Sequence, residues 1–416
     1  MGRSTELVGK SLMHILFYGE SPFAATGLAQ ITRNIVYPLL GQGHTFDVVG
    51  VNHFYEHEQF IPGITFHKIE ANGDCSNEEK VVELLSSRKF DCYFHSADFG
   101  RYTKALSAYY EAKERDKDLI GVCYMPVDTE MRFTHQTFDC LDAFNVVCTY
   151  SNHSARMIRQ AKPDIPVSTV YLASEEAFYP LSLEKRREAR KKYFGIDNDE
   201  FFLVLSVNRN QARKDLGRLI ACYHEFKQQV PHNGKLYLHC KQSDVAGSVP
   251  TQAYVLGAFE ECIYTRDDYS VLTGYSQEQM NEIYNCGDCL LSTSTGEGFG
   301  LSTTEAMSAG TPVIVPRNTS NLEIVGENEE RGYLIKSGGD IDHMTWLYGI
   351  SDNPRDIVWS ADVVAKLKHV YDNREEAANK TLSARLWTRQ YTPDIIGNKW
   401  CKLFEVLSKE KEKIYG

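Results

Sequence analysis

Residues 292–316 read STSTGEGFGLSTTEAMSAGTPVIVP, and this stretch decides the fold. An apolar run, Cys289 to Ser292, leads into a loop with glycines at 296, 298 and 300. Helix-forming residues follow from near Ser302, and Gly310 and Pro312 break the helix before a second apolar run over 311–315. Strand, glycine loop, helix and strand make one βαβ unit. Its turn is built for an anion: glycines let the backbone approach closely, and the first-turn amides of Ser302, Thr303 and Thr304 point outward. Glu297 and Glu305 flank that turn with seven residues between them. Two carboxylates beside an anion make electrostatic sense only if they accept hydrogen bonds from hydroxyls. A sugar and a ribose on either side of a diphosphate would supply them.

The same alternation extends outward in both directions. Apolar runs at 12–18, 46–51, 91–94, 119–124 and 144–148 read as buried strands, with a helix over 28–40 and helix-like segments between the others. A second series follows the basic stretch 182–192, with strands at 201–207, 235–239, 289–292 and 311–315 and a helix over 215–230. Two consecutive runs of this kind predict two doubly wound parallel sheets. We divide the chain into residues 1–190, residues 191–391 and a terminal amphipathic helix over 392–416. Ligands of such sheets bind at the carboxyl ends of the strands, so the expected site is the cleft between the sheets.

Composition narrows the class. With 45 Lys and Arg against 56 Asp and Glu the net charge is −11, which provides no global field for nucleic acid. No apolar run approaches the length of a membrane span, so any membrane contact is expected to be peripheral. Eleven scattered cysteines and no recognisable export signal predict a cytoplasmic protein. Cys286 and Cys289 have redox-motif spacing but lead into a strand, and Asp197 and Asp199 lie in a turn where such residues are ordinary.

The string Glu297, Glu305, Ala306, Met307, Gly310, Pro312, Val313 resembles, in register, the Glu-x7-Glu signature of family 4 glycosyltransferases. These are retaining enzymes with the GT-B fold, two Rossmann-like domains facing across a cleft. A more general likeness is to the glycosyltransferases of large algal viruses. The resemblance implies that Arg209 and Lys214 grip the donor diphosphate, although Asn208 replaces the family's glycine. It also implies diphosphate contacts from Gly27, Gly298, Gly300, Ser302 and Thr303. Sugar contacts come from Glu297, Phe299 and Gly300, the ribose contact from Glu305 and the nucleobase contact from Thr273. In the first half, Gly27 lacks the usual preceding glycine. Tyr124 and Asp128 are the polar residues available where the family places a catalytic one, and His95 and Asp98 end the strand expected to face the acceptor. Arg213 reads as a surface cation.

The implied activity is metal-independent transfer of a hexose, mannose or glucose, from a nucleoside-diphosphate sugar, with no prosthetic group. GDP-mannose leads, with uridine and glucose close behind. The acceptor is a glycan, glycolipid, glycoprotein or other hydroxyl compound. The rivals are a same-fold sugar-nucleotide epimerase, a sugar phosphorylase, a non-catalytic nucleotide-sugar binder and, more distantly, a nicotinamide oxidoreductase.

Overall fold

The computed structural model describes residues 12–24, 26–53, 60–69, 74–97, 102–130, 136–230, 233–266, 269, 274–347 and 353–415. In chain order the first seven strands are β1 (His14–Glu20), β2 (Thr45–Val51), β3 (Ile64–His67), β4 (Cys92–Ser96), β5 (Ile120–Met125), β6 (Val146–Thr149) and β7 (Val167–Thr169). They form one parallel sheet in the order β3-β2-β1-β4-β5-β6-β7. Then come β8 (Phe202–Val207), β9 (Gly234–His239), a small hairpin of β10 (Ser243–Asp244) and β11 (Gly247–Ser248), β12 (Cys262–Tyr264), β13 (Cys289–Leu291), β14 (Val313–Pro316) and β15 (Tyr333–Ile335). The second parallel sheet has the order β12-β9-β8-β13-β14-β15. After it, β16 (Met344–Thr345) and β17 (Arg355–Asp356) pair antiparallel outside both large sheets.

The apolar runs become strands because both faces of each sheet are covered by helices, so alternation gives way to continuous burial. In β1 every residue after His14 is buried, and in β8 every residue before Val207. The four sheet strands with no expectation from sequence, β3, β7, β12 and β15, are the four outer edges of the two sheets. They are only three or four residues long, too short to produce a readable run.

The helix Leu183–Phe194 crosses the expected division at residue 190. Its Arg186 and Arg190 both bind Asp288, and Arg190 also donates to the Cys286 carbonyl, so the helix packs beside the second sheet. The last helix, Pro393–Tyr415, returns to the first sheet. There Trp400 is fully buried, with ring centroids 5.4 Å from Phe94 and 4.8 Å from Tyr124. Gly397 lets it approach: a Cβ there would sit 2.6 Å from the Pro38 ring. The chain that builds the second sheet is thus fastened onto the first. Among the described residues no helix is long and apolar enough to cross a membrane. The eleven cysteines form no disulfide.

Trp400→Ala removes the largest side chain at this fastening. We expect a loss of about 3–5 kcal/mol, read as a shifted denaturant midpoint. A midpoint within experimental error of wild type would mean the terminal helix contributes little to holding the fold.

Candidate active site

The loop after β13 and the loop after β5 touch, and glycines make this possible. A Cβ on Gly296 would lie 1.9 Å from the Asp128 carbonyl oxygen, and one on Gly298 would lie 2.3 Å from the Pro126 side chain. Gly300 has φ +103°, a conformation that favours glycine, and it starts the helix Leu301–Ala309. That start faces another. The helix Gly27–Gly41 follows β1, and a Cβ on Gly27 would meet Leu301 at 2.6 Å. Thr26 caps the first-sheet helix by accepting from the Ala29 amide. Two helix N-termini, one from each half, therefore meet at Gly27 and Leu301, and the partial positive charge of a helix start favours an anion.

Glu297 is buried in the glycine loop, where its carboxylate pairs with Lys214 Nζ and lies 3.1 Å from Arg213 Nη1. Its amide donates to the Thr319 hydroxyl at 3.0 Å, and its carbonyl accepts from Ser320 at 2.9 Å, so the residue is held from three directions. Burial pushes the carboxyl pKa up, but Lys214 and Arg213 outweigh it and bring it down to about 2. Burial lowers the Lys214 ammonium pKa, with Glu297 opposing. Arg213 also donates to the Gly296 carbonyl at 2.9 Å, and its Nε lies 3.7 Å from Asp128. On the far side, Arg355 reaches Asp128 Oδ1 at 2.8 Å. Lys214, Glu297, Arg213, Asp128 and Arg355 thus form a chain of three cations and two carboxylates across the cleft. Arg209 stands at its edge, half exposed and 3.0 Å from Asp244. It also faces Glu20 at the end of β1, whose pKa burial raises and Arg209 opposes.

The second carboxylate of the motif has the opposite environment. Glu305 accepts from the Tyr284 hydroxyl at 2.7 Å. Burial, with Glu175 adding repulsion, raises its pKa to about 7, while hydrogen bonds from Tyr284 and Gln30 work the other way. Around it the first-sheet helix and the linker meet: Asn34 donates to Glu175 at 3.0 Å, and Ser174 bonds Ser308 at 2.6 Å.

Several expected site residues lie elsewhere. Tyr124 is a core residue, its hydroxyl donating to the Val170 carbonyl at 2.6 Å and its ring packed against Trp400. Such a group cannot reach a reacting atom. His95 is also fully buried and bonded to the Tyr93 hydroxyl at 2.8 Å, with burial pushing its pKa down to about 3. It is a neutral structural histidine rather than an acceptor contact. The Thr303 and Thr304 amides both turn back to the Gly300 carbonyl, which withdraws them from an anion. The Phe299 side chain is buried against Tyr171, so any ligand contact there would be through its backbone. Asp98 and Thr273 lie outside the described residues. Asp197 and Asp199 are engaged by Lys191 and Arg187. Conversely, Arg213, Arg355, Glu20 and Asp244 join the site without any sequence motif to announce them. Glu323, equally unannounced, accepts from the Asn152 and His153 amides and from the Tyr171 hydroxyl, joining the two halves a second time.

Residues 186–347 match the family described as Glycosyl transferases group 1. An uncharacterized glycosyltransferase of Methanocaldococcus jannaschii is 22% identical over 362 residues, 82% of this chain and 86% of its own length. Among solved structures, sucrose-phosphate synthase of Thermosynechococcus elongatus superposes with TM-score 0.71 at 15% identity, covering 95% of this chain and 98% of that one. Anabaena HepE in complex with UDP-glucose superposes with TM-score 0.69 at 16% identity, covering 95% and 100%. The fold is GT-B. The chain is an enzyme of the glycosyltransferase class, and the residues that match the group 1 family model lie in the half built on the second sheet.

The raised pKa of Glu305 carries a pH signature. Its folded value of about 7 exceeds the ordinary 4.5, so the proton stabilises the fold. That contribution is complete below about 4.5 and is lost as pH rises through 7. Glu305→Gln imitates the protonated form and does not titrate. Its melting temperature relative to wild type should therefore rise between about pH 5 and pH 8. Buried histidines titrate alike in both proteins and cancel. A difference constant with pH would show that the carboxyl is not held neutral.

Proposed function

We propose that the chain is a retaining, metal-independent hexosyltransferase that takes its sugar from a nucleoside diphosphate and passes it to a hydroxyl acceptor. The observation that carries this reading is Glu297, ionised and locked by Lys214 and Arg213 in the glycine loop that leads into the helix Leu301–Ala309. A departing nucleoside diphosphate gains negative charge, and prepositioned cations stabilise it more than they stabilise the bound donor. Lys214 has three N–H donors, so it can serve Glu297 and a phosphate oxygen together. Arg209 and Arg213 supply further positive charge, and the backbone of Gly27, Gly298, Gly300 and Ser302 completes the cradle. This cation set motivates the metal-free reading.

In this scheme Glu297 accepts hydrogen bonds from sugar hydroxyls and so orients the anomeric carbon. Glu305 takes the ribose hydroxyls. The bond from the anomeric carbon to the β-phosphate oxygen breaks while the acceptor oxygen bonds on the same face, and the acceptor proton passes to the departing phosphate. A double displacement would need a carboxylate nucleophile. Asp128 is poorly suited, because Arg355 and Arg213 already bind its charge. We assign Asp128 to the acceptor side of the cleft. The UDP-glucose held by the Anabaena neighbour brings uridine and glucose level with the GDP-mannose suggested by sequence resemblance. We place the reaction in the cytoplasm, on a glycan, glycolipid or glycoprotein acceptor.

A thermal-shift panel of UDP- and GDP-sugars identifies the donor, because a tight ligand raises the melting temperature. Slow donor hydrolysis then reports the chemistry. Turnover should survive EDTA; loss on chelation with recovery on adding manganese would end the metal-free scheme.

Two substitutions separate binding from chemistry. Glu297→Gln should bind free nucleoside diphosphate as well as wild type or better, since an acid beside the phosphates is removed, yet lose most turnover. Arg209→Ala should weaken nucleotide binding by about 1.5–3 kcal/mol, the worth of a charged hydrogen bond. Equal affinity losses in both, measured by calorimetry, would reassign Glu297 to organising the loop.

A further inference from the structure

The strand pair β16–β17 is an excursion from the second half of the chain, and its ties run in two directions. Toward its own half, Gly338 donates to the Ile357 carbonyl and Ser337 bridges to Val358. Toward the other half, Arg355 of β17 donates to the Asp128 carboxylate at 2.8 Å and to the Asp128 carbonyl at 3.2 Å. Beside it the Thr129 hydroxyl donates to the Pro354 carbonyl at 3.3 Å. Arg355 is 2% exposed, and its Nε has no hydrogen-bond partner among the described residues. A guanidinium buried this deeply with one donor unsatisfied is costly for stability alone, and its planar fork suits it to fixing one residue by side chain and backbone together. The carbonyl it grips is the one against which Gly296 packs.

We propose that Arg355 is a positioning residue that clasps the loop 126–130 of the first half and thereby sets the acceptor-side wall against the glycine loop carrying Glu297. This rests on the reading of Glu297 given above. Arg355 acts through Asp128 and Gly296 and touches no reacting atom. The two-stranded arm therefore joins the halves at the reaction centre, in addition to the terminal helix that joins them at a distance.

Hydrogen–deuterium exchange on the full-length protein tests the clasp without knowledge of any substrate. Arg355→Ala and Asp128→Ala should each speed exchange about tenfold or more in the peptides covering 122–130 and 292–300, while β9 and β12 stay unchanged. Because both remove the Arg355–Asp128 ion pair, the effects in the double variant should fall well short of additive. Arg355→Lys, which cannot fork, should recover only part of the protection. In the same variants nucleoside diphosphate affinity should stay within about twofold of wild type while donor hydrolysis falls, a split that a merely structural residue would not produce. Should Arg355→Ala fail to fold, Asp128→Ala and Arg355→Lys carry the measurement. Wild-type exchange in both loops, or additive effects in the double variant, would overturn the clasp. Failure of the wild-type protein to bind any nucleotide would instead overturn the reading of Glu297 and leave the exchange result to judge the clasp by itself.

Discussion

A carboxylate buried between two sheets stays ionised only if cations reach it, and here they come from the turn after β8. Lys214 and Arg213 keep Glu297 charged against the pull of desolvation, which would otherwise favour the neutral acid. Removing one member of such a pair leaves a bare buried charge, a loss of roughly 3–5 kcal/mol. The loop's backbone is drawn into the same arrangement, since Arg213 also holds the Gly296 carbonyl. The position of the acid, the course of the glycine loop and the contact with the first half are thus consequences of one ion cluster.

The glycines serve that cluster in a way that phosphate binding alone would not demand. Gly296 and Gly298 are bare because another backbone and a proline occupy the space a side chain would need. Gly300 is bare for a different reason, its positive φ. The two halves are further tied by Glu323, which supplies a carboxylate to the helix Asn152–Ala161 at its N-terminus, where the helix dipole welcomes it. Function follows from this closeness. Groups from both halves can act on one substrate only when the walls stand a few ångströms apart, and a small displacement costs rate steeply.

What the sequence revealed, and what it hid, follows from the range of the interactions. The motif from Glu297 to Val313 was legible because its parts are local: a strand end, a turn and one helix. Arg209 and Lys214 were legible for the same reason, at the end of β8. Asp128 was a candidate, but its partner Arg355 is 227 residues away and belongs to no motif, so no pattern could pair them. Arg213 read as a surface cation because nothing in its neighbours indicates that the other half lies on top of it. Tyr124 and His95 were misread for a common cause. Polar residues in central parallel strands look like site residues, yet hydrogen bonds inside the fold, to the Val170 carbonyl for Tyr124 and to the Tyr93 hydroxyl for His95, let them be buried. The outer strands escaped notice because an edge of three or four residues carries no period.

One sequence motif has thus placed two glutamates in opposite electrostatic settings, Glu297 held near 2 and Glu305 raised to about 7. If they do different work, nucleotide binding must move protons at one and not at the other. Calorimetry of nucleoside diphosphate binding at about pH 6.5, repeated in buffers of different ionisation enthalpy, counts those protons. Glu305 is mostly protonated there, and accepting ribose hydroxyls as a carboxylate should release roughly half a proton or more. The release should vanish in Glu305→Gln, beyond the small part contributed by the phosphate itself, and persist in Glu297→Gln. Equal proton release in all three proteins would contradict the division of labour between the two acids.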